Sequence, residues 1–319
     1  MKPEILVVSA HMPHVLTVLR EEFLLHDLRD AENPAARLQE IGPSIRGLAS
    51  TAFAAADKPL IDALPNLEII SHLGVGYDTV DVAHALSRGI AVTHTPDVLN
   101  DEVANTAILL LLSAARRFVE YDRYVRAGRW EEEGDPPLTH GIAGRKVGIV
   151  GFGRIGKTIA EKLKAFHAEI VYHGRREQKD QPYRYYADLR QMARDCYALV
   201  VITPGGAETH HLISGEVMEA IGPDGILVNV ARGPVVDESA LIAALQEGRL
   251  GYAALDVFEK EPHVPEALRK LDNVVLQPHQ GSATVETRRA MGDLVVDNFR
   301  AFFAGRPLLT PVPEMQARE

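Results

Sequence analysis

Short apolar runs alternate with longer stretches of helical period along almost the whole chain. Ile5–Ser9 (ILVVS), Leu67–Leu73 (LEIISHL) and Ile90–His94 (IAVTH) are compact and rich in β-branched residues, so they read as strands. Between them, PHVLTVLREE and VDVAHALSR repeat apolar positions at three- and four-residue spacing, which predicts helices. The second half carries six more strand-like runs: KVGIVG, EIVYHG, ALVVIT, GILVNVA, YAALDV and NVVLQP. Gly, Pro, Asn or Asp bounds each, and helical segments such as ESALIAALQEG separate them. Strict alternation of β and α predicts an α/β fold, with parallel sheets covered on both faces.

Two longer periodic stretches look like connectors between domains. One is predicted as a helix from about Asp101 to Ala127, with two acids at its start. The other is TVETRRAMGDLVVDNFRAFFAG, stopped by Gly305 and Pro307.

Composition narrows the function classes. The 319 residues are 46% apolar and 24% charged, an ordinary balance for a globular protein of one large or two average domains. A net charge of −10 argues against nucleic acid as the main partner, which would need a basic face. Cys196 is the only cysteine, which excludes an internal disulfide or a thiolate metal cluster and fits a reducing compartment. MKPEILVVSAHMP reads as a first strand, not a signal peptide, and the apolar run from Ala107 to Ala115 is too short to span a bilayer. The expectation is a cytoplasmic protein without a membrane partner.

Chemistry enters at Lys146–Gly156, KVGIVGFGRIG. Gly151, Gly153 and Gly156 form a G-x-G-x-x-G fingerprint between an apolar strand and the helical KTIAEKLKAF. In that setting the first glycine permits a tight turn, the second lets a pyrophosphate approach the backbone, and the third lets helix and strand pack closely. The helix N-terminus then offers free N–H groups to the anion. The fingerprint lies mid-chain, after the first connector. The layout is therefore predicted to be discontinuous. Residues 1–99 plus 284–319 form a substrate-binding domain, and residues 100–283 a dinucleotide-binding domain inserted in it. Both are Rossmann-like or flavodoxin-like, with the site expected in the cleft between them.

The next strand, EIVYHG, ends at Gly174, where an NAD site would place an acid against the adenine-ribose hydroxyls. Arg175 and Arg176 follow at once, and Lys179 is close. A 2′-phosphate carries about −1.5 to −2 charges, and a guanidinium can hold it with two hydrogen bonds. The pocket is predicted to take NADPH (NADP+), with NADH less favoured.

Three later segments each sit at the end of a predicted strand, where open parallel sheets bind ligands. They are NVARGPVVDESAL around Arg232, LDVFEKEPH around Glu261 and LQPHQGSAT around His279. Beside a nicotinamide they make one proposal. Arg232 clamps a carboxylate and polarises the adjacent ketone, His279 donates a proton to the ketone oxygen, and Glu261 orients the imidazole and favours its charged form. Arg232 and His279 also stabilise the developing alkoxide.

Together these motifs resemble the D-isomer-specific 2-hydroxyacid dehydrogenases over nearly the whole chain. HLGVGYDTVD is similar to that family's substrate loop, VGIVGFGRIG to its cofactor fingerprint, and the three later segments to those bearing its catalytic Arg, Glu and His. The position before Pro262 selects Glu261, not Glu259. The resemblance further implies substrate contacts from backbone at Val75 and Gly76. It implies cofactor contacts from Arg154, Ile155, Thr203, Pro204, Val230, Ala231, Asp256 and Gly281. The arginine pair resembles the NADPH-preferring branch, which includes glyoxylate/hydroxypyruvate and hydroxyphenylpyruvate reductases. Members are commonly homodimers paired through the cofactor domain, the first connector helix included. Asn105 stands where relatives often carry an acid, and Gln280 where Val or Ile is commoner.

The resulting expectation is NADPH-dependent reduction of glyoxylate or hydroxypyruvate to the D-2-hydroxy acid. Bulkier 2-keto acids, such as hydroxyphenylpyruvate or 2-ketogluconate, are the first alternative. A dinucleotide-sensing protein without catalysis is the alternative of another class. No metal site is expected: His210 and His211 are neighbours that would not share one face of a helix. Glu131–Glu133 is expected to be a solvated loop, and Trp130 to have a packing role, with reach into a partner's pocket as the alternative.

Overall fold

A computed structural model describes residues 2–316. The chain forms two compact units, Met1–Leu99 with Thr284–Glu319, and Asn100–Ala283. No helix among the described residues is long and apolar enough to cross a membrane.

The first unit runs β1 (Glu4–Val7), α1 (Pro13–Glu22), β2 (Leu24–Asp27), α2 (Pro34–Ile41), β3 (Ile45–Thr51), α3 (Lys58–Asp62), β4 (Ile69–Leu73), α4 (Val82–Ser87) and β5 (Ala91–Thr93). Its five strands are all parallel, in the order β2-β1-β3-β4-β5. Parallel strands need helical crossovers, and the crossovers start where short polar side chains cap them. Asn33, Asp57 and Asp81 accept from the backbone N–H groups of Ala36, Leu60 and His84 at the starts of α2, α3 and α4.

The second unit begins with α5 (Asn100–Ala115), α6 (Phe118–Arg126) and α7 (Arg129–Glu133). It continues through β6 (Lys146–Val150), α8 (Arg154–Leu163), β7 (Glu169–His173), β8 (Arg184–Tyr185), α9 (Leu189–Asp195), β9 (Ala198–Val201), α10 (Gly215–Ile221) and β10 (Ile226–Asn229). It ends with α11 (Glu238–Gln246), β11 (Tyr252–Leu255), α12 (Glu266–Arg269) and β12 (Val274–Leu276). Its sheet is parallel throughout, in the order β12-β11-β10-β9-β6-β7-β8. Strand order reverses between β6 and β9. That point is where a doubly wound sheet opens a crevice at its carboxyl ends, and Gly151 and Thr203 follow those two strands.

The chain then returns to the first unit with α13 (Val285–Phe303) and α14 (Pro313–Gln316). Thr284 caps α13 by accepting from Thr287 N–H. Met291, Val295, Val296 and Phe299 form its buried face, and the Ser71 hydroxyl on β4 donates to Val295 O at 3.2 Å. Phe299 is wholly buried. A Cβ on Gly47 of β3 would meet its ring at 3.0 Å, so the glycine makes room for the phenyl group.

Several elements differ from the sequence reading. The helix expected over 101–127 is broken, because Arg117 takes a left-handed conformation (φ 48°) between α5 and α6. Its guanidinium stacks over the Tyr252 ring at 5.1 Å. Glu131–Glu133 is not a loop. It belongs to α7, which Arg129 and Glu133 brace with an i,i+4 ion pair at 2.7 Å, although its acids remain exposed. Trp130 is 56% exposed, and its indole N–H donates to Asp135 at 2.9 Å, so it does not pack inside its own unit. His210 and His211 lie outside any α-helix with their rings stacked at 3.9 Å, so these neighbours do face one another.

Phe299→Ala removes a fully buried ring from between α13 and β3. It should destabilise the protein by about 3–5 kcal/mol, read as a lowered denaturation midpoint. A midpoint unchanged from wild type would show that α13 is not held through this ring.

Candidate active site

Three strand ends of the second unit build one constellation. After β11 the chain continues through buried Asp256, whose two carboxylate oxygens accept from the backbone N–H groups of Gln280 (2.6 Å) and Gly281 (2.8 Å). Its carbonyl oxygen accepts from His279 N–H at 2.7 Å. These bonds hold His279 at φ 52°, a conformation that residues with a side chain rarely adopt. From there the imidazole Nδ1 lies 2.7 Å from Glu261 Oε2, while Glu261 Oε1 accepts from Phe258 N–H at 3.0 Å. An ionised carboxylate can only accept, so Nδ1 carries the hydrogen.

Arg232 follows β10. The Asn229 side chain pins the turn before it, accepting from Ala231 N–H and donating to Arg232 O, both at 3.0 Å. One guanidinium nitrogen donates to Ala231 O at 2.9 Å. A Cβ on the next residue, Gly233, would fall 1.9 Å from the Phe258 backbone. The Arg232 turn therefore presses directly on the segment leading to Glu261. Burial opposes the charge on Glu261. The hydrogen bond and charge of His279, the Phe258 N–H and the charge of Arg232 outweigh it and hold the carboxyl below its ordinary range.

At the crevice beside β6, Gly151 has φ 98°, and a Cβ there would meet Ile202 O at 2.6 Å. A Cβ on Gly156 would meet Gly151 O at 2.3 Å, which is the close helix–loop packing expected of the third glycine. Around Gly153 there is open space. Gly153 also precedes α8 without any side chain capping the helix N–H groups. The Thr203 hydroxyl is buried, with no hydrogen-bond partner among the described residues. An uncapped helix N-terminus, a glycine facing open space and an orphaned hydroxyl at the switch point fit a dinucleotide pyrophosphate. Arg154 and Pro204 are exposed here, while Ile155, Val230 and Ala231 are buried.

Gly174 directly follows β7, with Arg175 and Arg176 exposed after it. An acid, Glu177, is exposed one residue further on. Sequence reasoning missed what fastens this segment. Gln178 donates through its side-chain amide to Phe152 O at 2.7 Å and through its backbone to the Tyr172 hydroxyl at 2.7 Å. The Phe152 and Tyr172 rings stack at 4.3 Å, and the Tyr185 hydroxyl donates to Gly174 O at 3.1 Å. The arginine segment is thus tied to the glycine loop. Asn229 was missed as well, although it sits within the motif that marked Arg232. Val75 and Gly76 lie in the first unit, half-buried in the loop after β4.

Residues 108–281 match the NAD binding domain of the D-isomer specific 2-hydroxyacid dehydrogenases. The chain belongs to that family. It is 52% identical over 269 residues to a hydroxyphenylpyruvate reductase of Plectranthus scutellarioides, covering 84% of this chain and 86% of the relative. It is 42% identical over 311 residues to a 2-ketogluconate reductase of Gluconobacter oxydans, covering 98% and 99%. Among solved structures, an NADPH-dependent glyoxylate/hydroxypyruvate reductase of Sinorhizobium meliloti, in complex with NADP and malonate, superposes with a TM-score of 0.91. It shares 45% identity over 98% of both chains.

The low pKa of Glu261 has a consequence for stability. Its folded value lies below the ordinary 4.5. Its ionised form therefore stabilises the fold in full above about pH 4.5, and this contribution is lost as pH falls through the lower folded value. The stability difference between wild type and Glu261→Gln should be largest near neutrality and should shrink on acidification, in denaturant melts taken across that range. A pH-independent difference would mean that Glu261 is not held as an anion.

Proposed function

We propose that this protein reduces a small 2-keto acid, glyoxylate or hydroxypyruvate, to the D-2-hydroxy acid with NADPH. The observation that carries the reading is the His279–Glu261 hydrogen bond of 2.7 Å beside Arg232. When bound, the dinucleotide supplies the hydride. Gly151, Gly153, Arg154, Ile155, Gly156, Thr203, Pro204, Val230, Ala231, Asp256 and Gly281 hold it, and Arg175 and Arg176 after Gly174 grip a 2′-phosphate. Backbone N–H groups at Val75 and Gly76 and the Arg232 guanidinium take the substrate carboxylate, and Arg232 polarises the ketone. His279 delivers the proton from Nε2 while Nδ1 stays bonded to Glu261, whose charge balances the imidazolium before transfer. Afterwards the imidazole is neutral, and Arg232 keeps its charge beside the product.

A second reading, reduction of a bulkier 2-keto acid, is supported by the relatives named for hydroxyphenylpyruvate and 2-ketogluconate. All these substrates share the carboxylate–ketone handle, and pocket shape divides them by only ~1–3 kcal/mol. A cytoplasmic location is part of the proposal, supported by the single, buried cysteine.

The test is kcat/KM for hydroxypyruvate with NADPH and with NADH, in wild type, His279→Ala and Arg175→Ala. NADPH should be preferred. Arg175→Ala should lose activity with NADPH far more than with NADH, and His279→Ala should lose about 10²–10⁴-fold with dinucleotide binding intact. Equal loss with both cofactors would sink the arginine reading. Turnover only of bulky keto acids would select the second substrate class, and dinucleotide binding without any turnover would select a sensor.

The protein is also proposed to be a homodimer paired through its second unit. Leu109, Phe118, Val125, Trp130 and Leu138 are each more than half exposed, an apolar set that a partner surface would cover. Light scattering on a sizing column should give twice the mass of one chain; a monomer at micromolar concentration would overturn this.

A further inference from the structure

The loop after β4 turns three successive carbonyl oxygens onto fixed donors. Gly74 O accepts from Thr95 N–H at 2.9 Å, Val75 O pairs with His94 Nδ1 at 3.0 Å, and Gly76 O pairs with His72 Nε2 at 3.0 Å. A carbonyl oxygen only accepts, so the hydrogens sit on His94 Nδ1 and His72 Nε2. His72 Nδ1 is then the acceptor for the Ser50 hydroxyl at 3.0 Å. Both imidazoles are buried. Gly74 N–H is itself engaged, donating to Thr95 Oγ1 at 3.0 Å. A Cβ on Gly74 would lie 2.9 Å from His72 Nε2, so a larger residue would push the imidazole off its carbonyl.

The peptides of this loop are trans, since the one cis bond described is Glu261–Pro262. In a trans peptide the C=O and the following N–H point in opposite directions within one plane. Drawing the carbonyls of Gly74, Val75 and Gly76 onto their donors therefore turns the N–H groups of Val75, Gly76 and Tyr77 the other way. Successive N–H groups presented together form a receptor for an anion.

We infer that His72 and His94, with Thr95, are positioning residues that aim the Val75–Gly76–Tyr77 N–H groups at the substrate carboxylate, and that Tyr77 N–H is a third donor in that receptor. The inference rests on the reading above that this loop takes the carboxylate. The two histidines act through the backbone and touch no reacting atom. They fix the orientation of peptide planes that would otherwise flip, so the receptor is built before substrate arrives.

The experiment compares His94→Leu and His72→Leu, which remove the donors. His94→Asn and His72→Gln serve as conservative partners, carrying an amide N–H near Nδ1 and Nε2 respectively. KM and kcat are measured for hydroxypyruvate at saturating NADPH, with KM for NADPH alongside, and oxalate binding to the NADP+-loaded protein is titrated as a readout free of turnover. The leucine variants should raise KM for the keto acid and weaken oxalate about 10-fold or more, the loss equivalent to roughly one oriented hydrogen bond to a charged group. KM for NADPH should stay near wild type, and the Asn and Gln variants should restore most of the loss. A role confined to folding would lower the melting temperature without this selective rise in KM. If a leucine variant does not fold, the near-isosteric Thr95→Val, which withdraws the acceptor from Gly74 N–H, carries the same expectation.

Folded variants that keep KM and oxalate affinity within about twofold of wild type would overturn the inference while leaving the carboxylate reading intact. A wild-type protein that neither binds oxalate nor reduces any 2-keto acid would overturn the reading itself, and the inference with it.

Discussion

The second unit's chemistry depends on one buried carboxylate that is not in the proposed catalytic set. Asp256 spends both oxygens on the N–H groups of Gln280 and Gly281, and its carbonyl on that of His279. A buried charge is tolerated only when its lone pairs are satisfied. The bonds that satisfy it also hold His279 in a left-handed conformation. Without the clamp the turn after β12 would relax, and the imidazole would leave Glu261. The position of His279 therefore follows from satisfying an acid one strand away.

Glycines divide into two groups by what surrounds them. Gly151, Gly156 and Gly233 are demanded by the protein itself, since a side chain at any of them would strike backbone within 2.6 Å. Gly153 faces open space. The fold itself does not demand its lack of a side chain, and the uncapped N-terminus of α8 beside it is a setting that suits an anion. The motif already assigns the turn, the close approach and the packing to its three positions, and the packing shows that the fold itself demands the first and the third.

The alternation of strands and helices was legible because buried parallel strands are continuous apolar runs, and all six strand-like runs of the second half became β6, β7, β9, β10, β11 and β12. The strands that escaped notice are those without such a run. β2 is LLHD, β3 is IRGLAST with a glycine that yields to Phe299, and β8 is two residues at a sheet edge. The break at Arg117 was hidden because neither Gly nor Pro marks it, and a left-handed arginine leaves no trace in a hydrophobic pattern. At the site, Arg232, Glu261 and His279 could be named from their motifs, and Asp256 as an implied cofactor contact, but the bonds that hold the three in place could not. Asn229 and Asp256 act on neighbours through side-chain-to-backbone bonds, and Gln178 reaches across to Phe152. Such partners become visible only once the strands are set side by side.

Glu261 and Asp256 are two partly or fully buried acids within one constellation, and their surroundings push them in opposite directions. Burial raises the carboxyl of Asp256, and its backbone hydrogen bonds and the nearby His279 do not fully offset this. Burial acts on Glu261 too, but there the direct bond to the imidazole and the charge of Arg232 prevail. Separation of this kind assigns roles to paired acids. Glu261 is the acid kept anionic beside the His279 imidazole, the part the proposed mechanism needs of it. Asp256 interacts chiefly with backbone N–H groups, and a change in its protonation would act on the turn that carries His279.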